Sequence, residues 1–527
     1  MHGGGRPPES DSQMPNFAKC HSAAIAGVDA VPVEIEVSAC GGSPQFSIVG
    51  LPDAAVKEAK DRVWTAVNNS GWRMRDGTVT VNLAPADIRK EGPHFDLPIA
   101  IGLLAAAGSL KCALPLEDFA MAGELSLSGG IRRVRGVLSV ALAMRGMGKK
   151  GIVVPEENAD EACAAGGIAV YPVRDLRECA AFFEGTLEIK PRKIDIDALL
   201  AAGLDSGEDF ADVRGQESAK RAIEVAVAGG HNILMSGSPG AGKTMLARRI
   251  PSILPPLTAE EAVEVTRIHS VAGELPPGVS LMTRRPFRAP HHTVSDAGLL
   301  GGGTHPIPGE VSLAHRGVLF LDELPEFRRN VLEVLRQPLE DGHVAISRAA
   351  ASCDFPSRFT LAAAMNPCPC GYLGDPHREC RCPPGKIKAY RGRISGPLLD
   401  RIDIQIEVPP VEYRELSELA PGEPSAAIRA RVIAARRVQT ERFADRPGVF
   451  CNADMPARDL EEFCSLDRET RDFLRLGIAE TGLSARAYTR ILKVARTIAD
   501  LAGSPSVNVE HVSEAVQYRA LDRDRWD

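Results

Sequence analysis

The chain has 527 residues, 44% of them hydrophobic and 25% charged, a balance that excludes an intrinsically disordered chain and predicts about three globular domains. A net charge of −7 excludes a protein that coats nucleic acid over its whole surface, while leaving room for a local basic channel. The longest apolar run, Leu97–Gly108, is too short for the roughly 20 residues of a spanning helix, and no basic-then-apolar leader opens the chain. A cytoplasmic protein without a membrane partner is expected. Residues 1–16 are Gly/Pro/polar and read as a disordered tail, or as text upstream of an alternative start at Met14.

From 17 to 189, period-two runs such as Val31–Val37 and Thr78–Leu83 predict half-buried strands, and Asp53–Val67 has helical spacing, giving an α/β domain. A charged stretch over 190–209 reads as a linker. Residues 210–410 alternate buried strands with helices. Beyond Pro409-Pro410 the text turns helical over 411–527, with helices expected at Ala426–Arg442, Asp459–Cys464, Arg468–Glu480, Ser484–Ala502 and Val509–Leu521. The fold class is therefore α/β multidomain with an all-helical C-terminal domain.

The central region carries the chemistry. The apolar strand Asn232–Ser236 runs into Gly237-Ser238-Pro239-Gly240-Ala241-Gly242-Lys243-Thr244 and then a helix, the phosphate-cradling pattern in its strand–loop–helix setting. Backbone N–H groups of such a loop surround phosphates, Lys243 reaches the β/γ-phosphates, and Thr244 ligates Mg²⁺. Val318–Leu321 is a buried apolar run ending in Asp322 and Glu323. Asp322 would hold Mg²⁺, and Glu323 would orient the attacking water. ATP hydrolysis follows from the pair.

These elements resemble ring-forming ATPases of the AAA+ class. That resemblance implies that Asn366, ending the strand Thr360–Met365, sits between the acidic residues and the γ-phosphate; a plain strand-capping Asn is the alternative. It implies that Arg401, or else Arg393, is a finger reaching a neighbouring subunit's ATP, and hence a homo-oligomer. It also makes Arg486, or Arg490 one turn on, a sensor arginine of a helical lid; an ordinary solvated charge is the alternative for either.

More specifically, Asp212–Gln216, Arg285–Thr293, Gly301–Gly303, Pro308–His315 and Asn366–Gly371 resemble the ComM/YifB family of magnesium-chelatase-like AAA+ ATPases. The family implies a hexameric motor on single-stranded or branched DNA, with helicase activity in branch migration during transformation and recombination. The competing reading is the motor subunit of a chelatase inserting metal into tetrapyrroles. The N-terminal domain is similar to the Lon-protease domain, but where that protease carries its nucleophilic serine after Gly-Pro, His94 follows Gly92-Pro93, so peptidase chemistry is not expected.

Two further features remain. Thr283–His292 gathers arginines and histidines in a Pro-rich stretch read as a projecting loop, and His343–Arg348 with Phe355–Arg358 reads as a hairpin. Arg285, Arg288 and Arg348 are candidate DNA-phosphate contacts, with intersubunit salt bridges as the alternative. Finally, Cys368, Cys370, Cys380 and Cys382 place four thiols in one Gly/Pro-rich loop. Four thiolates suit a closed tetrahedral Zn²⁺ site, with His377 as a substitute ligand; a free or redox-active cluster is the alternative. The other eight cysteines are scattered and read as buried small residues of a reduced protein.

Overall fold

The alternation at Val31–Val37 becomes the middle of a long strand, Asp29–Gly41, in which Val33, Ile35 and Val37 are buried and the residues between them half-buried. A computed structural model describes residues 17–74, 77–203, 207–276, 278–303, 306–348, 351–410, 421–481 and 485–519. The expected tail at 1–16 lies outside them. The chain divides into two units, Met1–Ile196 with Thr266–Met282, and Asp197–Val265 with Thr283–Asp527.

The first unit is built on a seven-stranded mixed sheet in the order Gln45–Val49, Gly77–Ala84, Asp29–Gly41, Phe17–Ala26, Phe119–Met121, Gly151–Pro155 and Ala169–Val173. The apolar run near Leu97 is a helix, Asp96–Ala106, buried along its whole length, as expected of a core helix. Its buried Asp96 accepts two bonds from Arg62, at 2.8 and 3.0 Å, so the carboxylate enters the core paired. His94, which follows Gly92-Pro93, is 5% exposed and its Nε2–H donates to the Ala23 carbonyl at 3.0 Å.

The second unit carries a five-stranded parallel sheet in the order Phe287–Arg288, Val318–Leu321, Thr360–Met365, Ile233–Ser236 and Ile404–Glu407. Its inner strands are almost wholly buried, as a parallel sheet covered on both faces requires. Register brings three strand ends together: Ser236 lies opposite Met365, and Leu321 opposite Ala363. The residues that follow, Gly237, Asp322 and Asn366, therefore share the carboxyl edge of the sheet, where ligands of such folds bind. The C-terminal helices Ser425–Arg442, Leu460–Phe463, Arg468–Thr481, Ala485–Leu501 and Val509–Gln517 contribute to the same hydrophobic core as this sheet. The expected start at Ser484 and end at Leu521 lie outside the described residues. Within the expected linker, Ile196–Ala202 is helical.

One expectation fails here. The stretch around Arg285 and Arg288 is not a projecting loop: Phe287 and Arg288 form the edge strand, in register with Val318 and Leu319, and Phe287 stacks on Phe320 at 6.0 Å. A hairpin forms, but its second strand begins earlier than expected: His343–Arg348 runs antiparallel to Ala351–Pro356, which shares only Phe355 and Pro356 with the expected Phe355–Arg358. Among the described residues no helix is long and apolar enough to cross a membrane.

Candidate nucleotide site and cysteine cluster

The phosphate loop runs from Gly237 to Gly242, and Gly240 and Gly242 hold φ of +84° and +85°, a region that penalises any residue with a Cβ. Gly242 caps the helix Lys243–Ile253, whose N-terminal amides face the loop. Lys243 is 8% exposed. Its ammonium donates to the Gly237 carbonyl, to the Ser238 carbonyl at 3.0 Å and to Asn366 Oδ1 at 3.1 Å. Burial lowers its pKa, against the pull of Asp322 and Glu323. An ammonium so placed has its three N–H donors engaged by neutral acceptors, with no carboxylate bonded directly to it among these partners, so an anion binds by displacing one of them.

Thr244 Oγ1 donates to Asp322 Oδ2 at 2.6 Å. A hydroxyl and a carboxylate oxygen at that separation are two hard oxygen donors side by side, which fits Mg²⁺ held with water and phosphate oxygens. Asp322 Oδ1 accepts from the Glu323 amide at 2.9 Å, and Glu323 itself holds a left-handed φ of +52°. A non-glycine residue there stores on the order of 1 kcal/mol of strain, and the turn exposes the carboxylate. His292 Nδ1 lies 3.6 Å from Glu323 Oε2, with its ring edge-on to Phe327 at 6.3 Å. In the sequence this histidine stands only in the stretch expected to project as a loop; its place beside Glu323 comes from the fold.

The arginines divide. Arg401, expected to reach outward, is turned inward within this chain: it pairs with Glu340, donates to the Pro397 carbonyl at 2.6 Å and is 8% exposed. Arg393 is half-exposed and bonds Glu326 at 2.8 Å. Arg486 is largely exposed, 3.5 Å from Asp400, whereas Arg490 pairs with Asp403. Asp403 is buried, which would raise its pKa, but the charge of Arg490, with a hydrogen bond from His231, holds it well below the usual carboxylate range.

Arg285 and Arg288 need correction as phosphate contacts. Arg285 donates to the carbonyls of Pro255, Arg316 and Pro256 and to Glu261 at 2.6 Å. Arg288 makes a two-pronged bond to Glu310, at 2.6 and 2.8 Å. Both guanidiniums serve the unit's own packing. The carboxylates that hold them lie 24 and 22 residues away in sequence, so no local run of acids announced them. Arg348 ends the first hairpin strand; its side chain lies outside the described residues.

The four cysteine Sγ atoms lie within 4.8 Å of one another, with Cys368–Cys370, Cys368–Cys380 and Cys370–Cys380 at 3.3, 3.6 and 3.7 Å. Tetrahedral Zn–S bonds of about 2.3 Å set sulfurs about 3.8 Å apart, so the donor set fits. The Tyr372 amide and the Cys368 thiol bond Cys370 and lower its pKa to about 6, which favours the thiolate a metal requires. His377 is exposed and is not among the clustered donors.

The family model described as "Magnesium chelatase, subunit ChlI" matches residues 209–416, its C-terminal companion matches 422–519, and "Subunit ChlI of Mg-chelatase" matches 33–158. The chain is 44% identical to the uncharacterized protein YifB of Escherichia coli over 95% of its own length and 97% of that protein's. It is also 44% identical to the competence protein ComM of Haemophilus influenzae, over 96% and 98%. A shorter likeness, 29% identity over 33% of this chain, links it to a Lon protease of Acinetobacter baumannii. With the phosphate loop, the acidic strand end and Asn366 meeting at one sheet edge, and likeness along nearly the whole length, the chain belongs to the ComM/YifB family of magnesium-chelatase-like AAA+ ATPases.

Proposed function

We propose that this protein is a cytoplasmic ATP-hydrolysing ring motor that acts on single-stranded or branched DNA, as a branch-migration helicase in transformation or recombination. The observation that carries the hydrolytic part is the convergence of Lys243, Thr244, Asp322, Glu323 and Asn366 on one strand edge. The DNA part rests on the full-length likeness to a competence protein.

In this reading Lys243 and the loop amides bind the phosphates, Thr244 and Asp322 hold Mg²⁺, and bound Mg²⁺ neutralises charge developing on the phosphoryl oxygens. Glu323 accepts a proton from the attacking water, with His292 orienting the carboxylate. Asn366 keeps Lys243 aimed into the loop. Arg401 becomes the cation in trans by exchanging Glu340 for a neighbour's phosphate, which makes a homo-oligomer, a hexamer, the active species. Arg486 serves as the lid's sensor. Arg348, on the hairpin, meets DNA phosphate. Cys368, Cys370, Cys380 and Cys382 hold one Zn²⁺. The first unit is a Lon-like fold without peptidase chemistry, because buried His94 replaces the nucleophile.

ATPase turnover of the purified protein, measured with and without single-stranded and four-way-junction DNA, tests the proposal. Stimulation by either DNA is expected; DNA-indifferent turnover would refute action on DNA while leaving the ATPase intact.

A further inference from the structure

The cysteine loop and the phosphate loop are packed as one object. Gly371, in the turn that carries Cys368 and Cys370, holds φ +85°, and a Cβ on it would lie 2.6 Å from Pro239 of the phosphate loop and 3.8 Å from Asn366 Cγ. Asp375, midway along the cysteine loop, lies beside the Ser238 side chain, which holds its carboxyl below the usual range. Asn366 stands two residues before Cys368 and bonds Lys243 directly. From the far side, Arg391 Nε donates to the Pro367 carbonyl at 2.9 Å. Three residues of the phosphate loop and its helix, Ser238, Pro239 and Lys243, thus touch the segment Asn366–Asp375.

The segment's other bonds are local: Asp375 accepts from the amides of His377 and Arg378, and Arg378 donates to Tyr372 Oη while lying over its ring. Between Cys368 and Cys382 only Cys368 and Gly371 are buried, and most of the rest is exposed. A Gly/Pro-rich loop without a core of its own pays its ordering entropy through cross-links, and metal binding at thiolates supplies folding energy.

We infer that the metal held by Cys368, Cys370, Cys380 and Cys382 clamps the ATP site: one zinc ion fixes the turn at Gly371 against Pro239 and so presets the phosphate loop for nucleotide. The inference rests on the zinc and nucleotide readings above. Loss of the metal frees Asn366–Cys382, removes the wall behind Pro239 and lets Lys243 lose its amide partner. Nucleotide affinity therefore depends on the metal, although no metal ligand belongs to the nucleotide motifs.

The test uses the full-length protein prepared without chelator. Metal content is measured by mass spectrometry, and a fluorescent ATP analogue is titrated in excess Mg²⁺ before and after treatment with a zinc-selective chelator, then after zinc is restored. About one zinc per chain is expected, with affinity at least tenfold weaker after stripping and recovered on adding zinc. Gly371→Ala provides the second arm: it should keep its zinc yet bind the analogue about tenfold more weakly, because the added Cβ meets Pro239. If stripping aggregates the protein, this variant alone decides. No metal in the native protein overturns the zinc reading and the clamp with it. Native protein that fails to bind the analogue overturns the nucleotide reading. Zinc present, with stripped protein or Gly371→Ala binding within twofold of native, overturns the clamp alone.

Discussion

His292 Nδ1 stands 3.6 Å from Glu323 Oε2, the carboxylate at the left-handed turn that ends the acidic strand. The separation is slightly beyond a direct hydrogen bond and suits an electrostatic or water-bridged contact. It places an imidazole where it can steer the group assigned to the attacking water. Glu323→Gln should bind ATP normally and hydrolyse it at least 100-fold more slowly, the usual loss for a positioned general base. His292→Ala should lower kcat several-fold at unchanged KM, since it touches Glu323 rather than the phosphate cradle. Equal turnover in wild type and Glu323→Gln would remove Glu323 from the chemistry.

Lys243 and Asn366 should separate in a second way. Lys243→Ala removes the only ammonium in the loop and should abolish measurable nucleotide binding. Asn366→Ala deletes one of the three acceptors that hold Lys243, a hydrogen bond to a charged group worth about 1.5–3 kcal/mol. Affinity should fall roughly tenfold, with kcat lowered as well. Calorimetric titration with a non-hydrolysable analogue distinguishes the two; an Asn366→Ala protein with wild-type affinity and turnover would reduce Asn366 to a strand cap.

Arg285 and Arg348 give a third contrast. Arg285→Ala removes the donor to three backbone carbonyls and one of the donors to Glu261, which keeps the Thr258 amide and Arg316, so the cost is on the order of 1–3 kcal/mol. A lower denaturation midpoint of the second unit is expected, with the salt dependence of DNA binding unchanged. Arg348→Ala should instead weaken DNA binding across sequences alike and reduce the logarithmic salt slope by about one. DNA titrations at three salt concentrations, beside urea melts, read both effects.

How far the sequence reveals this molecule depends on whether a feature is local. The phosphate loop, the acidic strand end and the amide at Asn366 each lie at the end of an apolar run, so strand and chemistry are written in consecutive residues. The helices beyond Ser425 are legible for the same reason. The roles of Arg285 and Arg288 are not legible in the sequence because Glu261 and Glu310 reach them only through the fold. Arg401 carries a local signature, but its partner Glu340 comes from a distant helix. The contact of Gly371 with Pro239 joins loops far apart in the chain, and no spacing rule foretells it. His292 was visible as one of a histidine pair, yet nothing in the text sets it beside Glu323.

His94 carries the last prediction, on the pH dependence of the first unit. Burial pushes its pKa down from 6.5 to about 4, partly offset by the bond to the Ala23 carbonyl. The folded unit therefore holds His94 neutral while the unfolded chain protonates it near its ordinary value. Between about pH 6.5 and 4 the unfolded state binds more protons, so this contribution is fully present above pH 6.5 and is lost as pH falls through that window. At 1.36 kcal/mol per pKa unit, the loss between pH 7.5 and 5 is on the order of 2 kcal/mol. His94→Gln keeps a donor for Ala23 and removes the titration. Trp64 and Trp72 pack against this unit's core, so in a Trp526→Phe background tryptophan fluorescence follows its unfolding. Urea titrations at pH 7.5 and 5 should show the parent protein losing about 2 kcal/mol more than its His94→Gln counterpart; equal losses would mean that His94 is protonated in the folded unit.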